Sequence, residues 1–591
     1  MKAIQSLTAR KIAALSAVFA SLLLCVTAFA QQTTPAFTQI ILFGDSLSDN
    51  GNDYHRVNDV SQGQIGYPGN SFNYATGRFT NDTNTDPPAH LYVETWHEQL
   101  AIGFLHIPPA KNSLDGGLNY AFGGATTENG TQDKSVFGSP VSITIDNMGK
   151  QMDDYLTRVN NVADPTALYI VWGGGNDIRD NPSATNVSAT VGRVNLLLTR
   201  LANAGAKYIM VPNLPPIGTI PENAGDTAAQ NAKDVASLDY RAQLDSSLNG
   251  TQTSLAAQGV NFTLYRVDVW KENLQIYTNP SAFGFVDVRN SAQGKSSVNP
   301  DQFLFWDGIH PTTAGHYQIG KAAYETIVNP SPTPAGKTVN LSTRASVGTG
   351  EQVSIVGFII TGDVSKKVMV RGLGPSLAAK GVVGALADPT LTLFDNAGNQ
   401  IAFNDNWQDS DAVNITATGI PPTDPRESAI LQSLAPGHYT AVLAGKGNTT
   451  GVGLVEVYDR ESNTSPVLAN LSTRGFVGTG ENAMIGGFII NSGDSPAIVV
   501  RAIGPSLANS GVANPLMDPF LELHDANGAV IATNDNWRDG QPQAAKATTL
   551  NPTDDRESVI TAFLAPGNYT AVVQGVGGTT GVALVEAYRI P

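Results

Sequence analysis

Three side chains in this sequence can together drive a hydroxyl onto a carbonyl carbon. Ser46 sits in the run Phe43–Asn52, FGDSLSDNGN, directly after the apolar residues Ile40, Ile41 and Leu42. Those residues read as a buried strand, so the hydroxyl falls at a strand's C-terminal edge, where open α/β sheets hold their ligands. Far downstream, FWDGIHPT supplies Asp307 and His310. A serine hydroxyl is a weak nucleophile until a base takes its proton and a carboxylate orients that base. The spacing of Asp307 and His310 suits one face of a helical turn, with the carboxylate on one ring nitrogen and Ser46 on the other. The oxyanion formed by such an attack needs donors. The glycine-rich NYAFGGAT (Asn119–Thr126) offers backbone N–H groups, WGGGNDI (Trp172–Ile178) offers the amide of Asn176, and Ser46 offers its own N–H.

Other polar residues near these motifs read as structural. Asp45 adjoins Ser46, but alternation along a strand turns neighbours to opposite faces. Asp177 follows Asn176 in a turn and is expected to bond backbone amides. His316 is the nearest rival base and is expected at the surface. Asp49, Asn50 and Asn52 lack the terminal bidentate carboxylate of a calcium loop, so no metal is expected there.

The elements that position these groups alternate. Leu168–Trp172, Tyr208–Val211 and Phe262–Val269 read as strands; Val191–Ala204 and Ser237–Gln258 have helical spacing. Strand, helix, strand, helix is the pattern of a parallel sheet covered on both faces. The character changes at Asn329-Pro-Ser-Pro-Thr-Pro-Ala-Gly336, a semi-rigid spacer. Beyond it the chain repeats with a period of 130 residues: NLSTR at Asn340 and Asn470, NDNW ending at Trp407 and Trp537, a last strand ending at Tyr458 and Tyr588. Short strands between Gly, Asn, Asp and Pro turns argue for a β-sandwich in each copy. The expected organisation is a signal peptide at 1–30, a hydrolase domain at 36–328, a linker at 329–337 and repeats at 338–460 and 466–591. Few contacts are expected to cross the spacer. In the NDNW turns the tryptophan is expected in the core, with sugar stacking on Trp407 or calcium at Asp405 as the alternatives.

The chain's net charge of −16 and lack of a basic cluster argue against nucleic acid or an anionic membrane as partner. Lys2, Arg10 and Lys11, the apolar run Ile12–Val26 and Ala28-Phe29-Ala30 form a secretory leader, so the protein is expected to be exported to the extracellular space, the periplasm or the cell surface. Cys25 is the only cysteine and lies in that leader, so no disulfide is expected. No later stretch approaches the roughly 20 apolar residues of a membrane span.

The ordered blocks GDS (Gly44–Ser46), NYAFGGA (Asn119–Ala125), GGND (Gly174–Asp177) and DGIH (Asp307–His310) make the chain from Phe37 to Ile327 resemble the GDSL branch of the SGNH serine hydrolases. GRFTND (Gly77–Asp82), VPNLPPIG (Val211–Gly218) and NPSAFGF (Asn279–Phe285) are similar to text in the secreted phospholipase, lecithinase and hemolysin relatives. The resemblance implies a flavodoxin-like three-layer α/β/α fold, no cofactor, and ester hydrolysis through an acyl-enzyme. It implies Ser46 as nucleophile, His310 as base, Asp307 as its orienter, and an oxyanion hole of Ser46, Gly124 and Asn176. Thr83–His90 departs from the family pattern at the entrance to the site. The expected substrates are lipid or acyl esters, phospholipids among them. The alternatives are a polysaccharide O-acetylesterase whose repeats hold a polysaccharide or cell-surface ligand, and a non-catalytic adhesion protein.

Overall fold

The computed structural model describes residues 37–69, 72–82, 92, 94–136, 138–330, 335–461 and 467–590. The leader and Thr83–His90 lie outside them. Four strands, β1 (Ile40–Gly44), β4 (Leu168–Trp172), β5 (Tyr208–Pro212) and β6 (Thr263–Val267), form a parallel sheet in that order, and β2 (Thr131–Ser135) and β3 (Ser142–Asp146) pair as a separate hairpin. β1 and β4 are buried at every position, as a sheet covered on both faces requires. The pleat divides their side chains. Ile41, Phe43, Tyr169 and Val171 pack against α2 (Met148–Arg158), α4 (Ala184–Ala204) and α5 (Thr227–Ala257). Ile40, Leu42, Leu168 and Ile170 pack on the other side with Trp96, Leu100 and the helix Thr313–Val328. The result is a three-layer α/β/α domain.

Beyond β1 there is no further strand of this sheet among the described residues, but the segment Leu118–Phe122 takes that place. The Leu42 N–H donates to Leu118 O at 3.0 Å, Tyr120 N–H to Leu42 O at 2.8 Å and Phe122 N–H to Gly44 O at 3.3 Å. The next two segments of the sheet, Leu118–Phe122 and β4, therefore lie on opposite sides of β1, which opens a crevice at the C-terminal end of that strand.

The repeats interlock. Thr338–Val347, the opening strand of the first, pairs with its own closing strand Gly451–Asp459 and with Met484–Ile490 of the second. Val467–Val477 pairs likewise with Gly581–Arg589 and with Ser354–Thr361 of the first. Two long antiparallel sheets result, each running through both copies, and a bridge between Ser346 and Phe476 joins them into 16 strands. Leu341, Val356 and Val457 of one copy share a core with Leu471, Met484 and Val585 of the other. Thr343 and Thr473, equivalent residues 130 apart, share a hydroxyl–hydroxyl hydrogen bond of 2.7 Å.

The expectation that few contacts cross the spacer does not hold. The second repeat sets Trp537, Ala544, Ala545, Ala547 and Val559 into one apolar core with Ile217, Ile220, Trp270, Ile276 and Tyr277 of the hydrolase domain. Burial of small apolar side chains drives this contact, and no Pro-rich text could reveal it.

Asp234 of α5 lies beneath this junction. It is fully buried, its Oδ1 accepts the Gly218 N–H at 2.8 Å, and its Oδ2 has no partner among the described residues. Burial pushes its pKa from 3.8 up to about 8. The folded state thus holds a proton that the unfolded chain releases, and the stability this gives is lost as pH rises through about 8. Asp234→Asn keeps the acceptor and cannot ionise. It should flatten the fall in Tm between about pH 4 and about pH 8, and an unchanged fall would contradict the buried proton.

Candidate active site

Ser46 follows β1 in a tight turn, closed by the Ser48 and Asp49 N–H groups donating to Asp45 O at 3.0 Å each. Asp49 then gathers the turn. Its carboxylate accepts the N–H groups of Gly51, Asn52, Asp53 and Gly123 at 2.8 to 3.1 Å, tying the β1 turn to the glycine-rich loop.

Asp307 and His310 come from a bend between Phe303–Phe305 and the helix Thr313–Val328, not from a helical turn. Asp307 Oδ1 accepts the N–H groups of Ile309 and His310 at 2.7 Å each, so its own carboxylate folds the bend. The Trp306 N–H closes it on His310 O at 2.8 Å. Thr312 caps the next helix through the Gly315 N–H.

The three side chains meet in sequence. Asp307 Oδ2 lies 2.7 Å from His310 Nδ1, and His310 Nε2 lies 2.9 Å from Ser46 Oγ. A carboxylate only accepts, so Nδ1 carries the proton and Nε2 is left to take the one on Ser46. All three residues are at most 8% exposed. Burial works against charge on Asp307. The facing His310 and the hydrogen bonds from His310 and Tyr74 outweigh it and hold the carboxyl at about 2.

Tyr74 had no signal in the sequence. Its hydroxyl donates to Asp307 Oδ2 at 2.7 Å, and the ring of Phe79 lies 5.0 Å from that of His310. The neighbouring Thr80 and Asn81 bind Pro311 O and the Thr313 N–H, so the GRFTND segment clamps the histidine bend. Only the similarity of that segment hinted at a role.

Gly123 and Gly124 divide their work. The Gly123 N–H is spent on Asp49 at 3.1 Å, whereas that of Gly124 has no partner among the described residues. Gly124 has φ +82°, where a side chain is strained. The hairpin Thr131–Ser135 and Ser142–Asp146 aims this loop: Lys134 Nζ donates to Gly123 O and to Asp53, each at 2.8 Å, and Gln132 Nε2 donates to Gly124 O at 2.7 Å. Across a trans peptide the Gly124 N–H points opposite to Gly123 O, away from Lys134. Asn176 opens α3 (Gly175–Asp180) after β4 and donates through Nδ2 to Ala125 O at 3.0 Å. The Ser46 N–H also has no partner among the described residues. Ser46 and Asn176 line one cleft; Gly124 is not among its lining residues, and its neighbour Ala125 is the residue bonded to Asn176.

Three readings of polar neighbours need correction or completion. Asp45 is in a turn, so strand alternation does not apply; it lines the same cleft as Ser46, and burial raises its pKa to about 6. His316 is fully buried, not at the surface. Its Nδ1 accepts the Trp96 N–H at 3.3 Å, and burial, with His310 and His97 nearby, lowers its pKa to about 3. Asp177 bonds the Thr127 N–H and hydroxyl and is paired with Arg193 at 2.8 Å.

The cleft beside Ser46 is lined largely by apolar side chains, among them Ile217, Ile220, Ile276, Tyr277, Leu304, Phe305 and Ile309. In the repeats, Trp407 and Trp537 are buried, at 8% and 2% exposed, and Asp405 binds Lys446 at 2.5 Å. Among the described residues no three His, Cys, Asp or Glu side chains are placed to hold a metal, and no helix is long and apolar enough to cross a membrane.

Residues 40–323 match the sequence profile of the family described as GDSL-like Lipase/Acylhydrolase. A GDSL esterase/lipase of Arabidopsis thaliana is 24% identical over 336 residues, covering 49% of this chain and 89% of that protein. A phosphatidylcholine-sterol acyltransferase of Aeromonas hydrophila is 26% identical over 353 residues, covering 51% and 93%. A solved member of the lipolytic protein G-D-S-L family from Veillonella parvula is 15% identical, with a TM-score of 0.25, over 49% of this chain and 96% of that one. Residues 40–323 form a GDSL lipase/acylhydrolase domain, that of a carboxylic ester hydrolase.

Proposed function

We propose that the protein is an exported serine esterase that cleaves lipid or other acyl esters, phospholipids among them, through an acyl-enzyme. The hydrogen-bonded line from Asp307 through His310 to Ser46 carries this reading. Ser46 Oγ attacks the ester carbonyl while His310 Nε2 takes its proton. The carbonyl electrons move to oxygen, and the N–H groups of Ser46 and Gly124 with the amide of Asn176 hold that charge. Collapse expels the alcohol, which leaves with the proton from His310. A water then attacks the acyl-serine, gives its proton to His310, and the acid departs as Ser46 regains its own. Asp307 stays ionised throughout and steadies the imidazolium.

The apolar cleft beside Ser46 favours an acyl chain over a sugar ring. The Aeromonas relative, by its name, uses phosphatidylcholine, which supports a phospholipid as one substrate. Burial of Trp407 and Trp537 leaves neither free to stack on a polysaccharide, which weighs against the O-acetylesterase reading. Export rests on the leader sequence alone.

Ser46→Ala should fold normally and lose on the order of 10⁴ to 10⁶ in kcat on p-nitrophenyl butyrate. A variant keeping a tenth of the activity would sink Ser46 as nucleophile. Asn176→Ala should lower kcat by about 10² to 10³ and leave KM near the original value, since an oxyanion donor acts in the transition state. A rise in KM alone would make it a substrate-binding residue. Across a panel of phosphatidylcholine, long-chain p-nitrophenyl esters and acetylated xylan, only the first two should be turned over; preference for xylan would reverse the choice of substrate.

A further inference from the structure

The two repeats have the same register, so each position of one can be compared with its equivalent 130 residues on. Their cores agree: Trp407 and Trp537 are both buried, as are Met369 and Val499. Their outer faces do not. Where the first repeat exposes Lys367, Val413, Asn414 and Arg460, the second has Ala497, Gln543, Ala544 and Ile590, all buried. Val413 is 81% exposed and Gln543 is 8% exposed. In the first repeat Met369, Trp407, Ile415 and Ala429 form a small cluster of their own. In the second, the same positions have fused with the hydrolase core.

The fused face lies behind the substrate cleft. The short helix Pro542–Ala547 packs its buried alanines with Ile217, Ile220, Ile276 and Tyr277, four of the side chains that wall the cleft. Two hydrogen bonds fix it there. Gln543 Nε2 donates to Thr219 O at 3.1 Å, one residue before Ile220, and Gln541 Nε2 donates to Thr278 O at 2.8 Å, one residue after Tyr277. The Thr219 hydroxyl and the Tyr277 hydroxyl lie 3.0 Å apart, so the two attachment points are also tied to each other.

We infer that the second repeat is a built-in specificity element: its Gln541–Ala547 segment braces the wall of the cleft and so sets which acyl chains the hydrolase accepts. The first repeat, which leaves the same positions exposed, has no such role. Ser46, Asp307 and His310 do not touch this wall's outer side, so the brace acts on chain accommodation and not on the attack itself. The inference rests on the cleft being the acyl site. Close-packed interiors transmit even one added methylene, which is why a change on the far side of the wall should be felt inside it.

The full-length protein tests this. Ala544→Leu adds bulk behind the wall, and Asn414→Leu adds the same side chain at the equivalent exposed position of the first repeat. Gln543→Ala is the milder variant, removing only the hydrogen bond to Thr219. Each is assayed on p-nitrophenyl acetate and on p-nitrophenyl palmitate. Ala544→Leu and Gln543→Ala should change the palmitate-to-acetate ratio of kcat/KM, about tenfold and about threefold respectively, with acetate kcat kept within about twofold. Asn414→Leu should leave the ratio unchanged. If Gln543→Ala and a folded Ala544→Leu leave the ratio at its original value, or lower both esters equally, the brace does not set chain selectivity and the inference falls. Should Ala544→Leu fail to fold, the Gln543→Ala ratio decides alone. Loss of acetate hydrolysis in the unaltered protein would instead overturn the esterase reading.

Discussion

The site depends on keeping one buried carboxylate charged. An isolated carboxylate in apolar surroundings takes up a proton, and a protonated Asp307 could neither fix the tautomer of His310 nor steady its cation. Four donors prevent this: the N–H groups of Ile309 and His310, the Nδ1 proton of His310 and the Tyr74 hydroxyl. Two belong to the bend that Asp307 itself creates. The third is the imidazole it orients, and the fourth comes from more than two hundred residues away in sequence. Charge and geometry at this point are therefore one problem, since each hydrogen bond that stabilises the anion also places a partner.

The oxyanion side has the complementary design. There the N–H groups of Ser46 and Gly124 have no partner among the described residues, and other residues are spent to keep them so. Asp49 draws the β1 turn and the glycine-rich loop together, while Lys134 and Gln132 pull the loop's carbonyls away. Peptide planarity then turns the Gly124 N–H the other way. The parallel sheet brings these parts within reach, because β1, β4 and the Leu118–Phe122 segment all end at the same edge.

Much of this was legible in the sequence, for a physical reason. Ser46, Asn176 and His310 each follow a short local string whose conformation is set by nearby residues, and the strands around them are continuous apolar runs. Gly124 was separable from Gly123 only by similarity; in the structure Asp49 claims the Gly123 N–H, while that of Gly124 has no partner among the described residues. Tyr74, Gln132 and Lys134 were not legible, because they meet the site only after the chain folds. His316 was misread because its burial comes from a helix face packed under Trp96, and the local text Ala314-Gly315-His316-Tyr317 says nothing of that. The repeats' period revealed their number but could not say that each opening strand would pair with the other copy. Nor could the spacer reveal that small residues such as Ala544 make an interface.

The most direct measurement is a crystal structure of the full-length protein after reaction with a long-chain alkyl p-nitrophenyl phosphonate. Such a compound leaves a tetrahedral phosphorus on the attacking oxygen, with the charge and shape of the acyl-transfer intermediate. The expected result is a bond from Ser46 Oγ to phosphorus and one phosphoryl oxygen within about 3 Å of the Ser46 N–H, the Gly124 N–H and Asn176 Nδ2. The alkyl chain should lie along the cleft against Ile217, Ile220 and Tyr277. A phosphonate on any other residue, or on Ser46 with its oxygen turned from Gly124 and Asn176, would contradict the proposed mechanism.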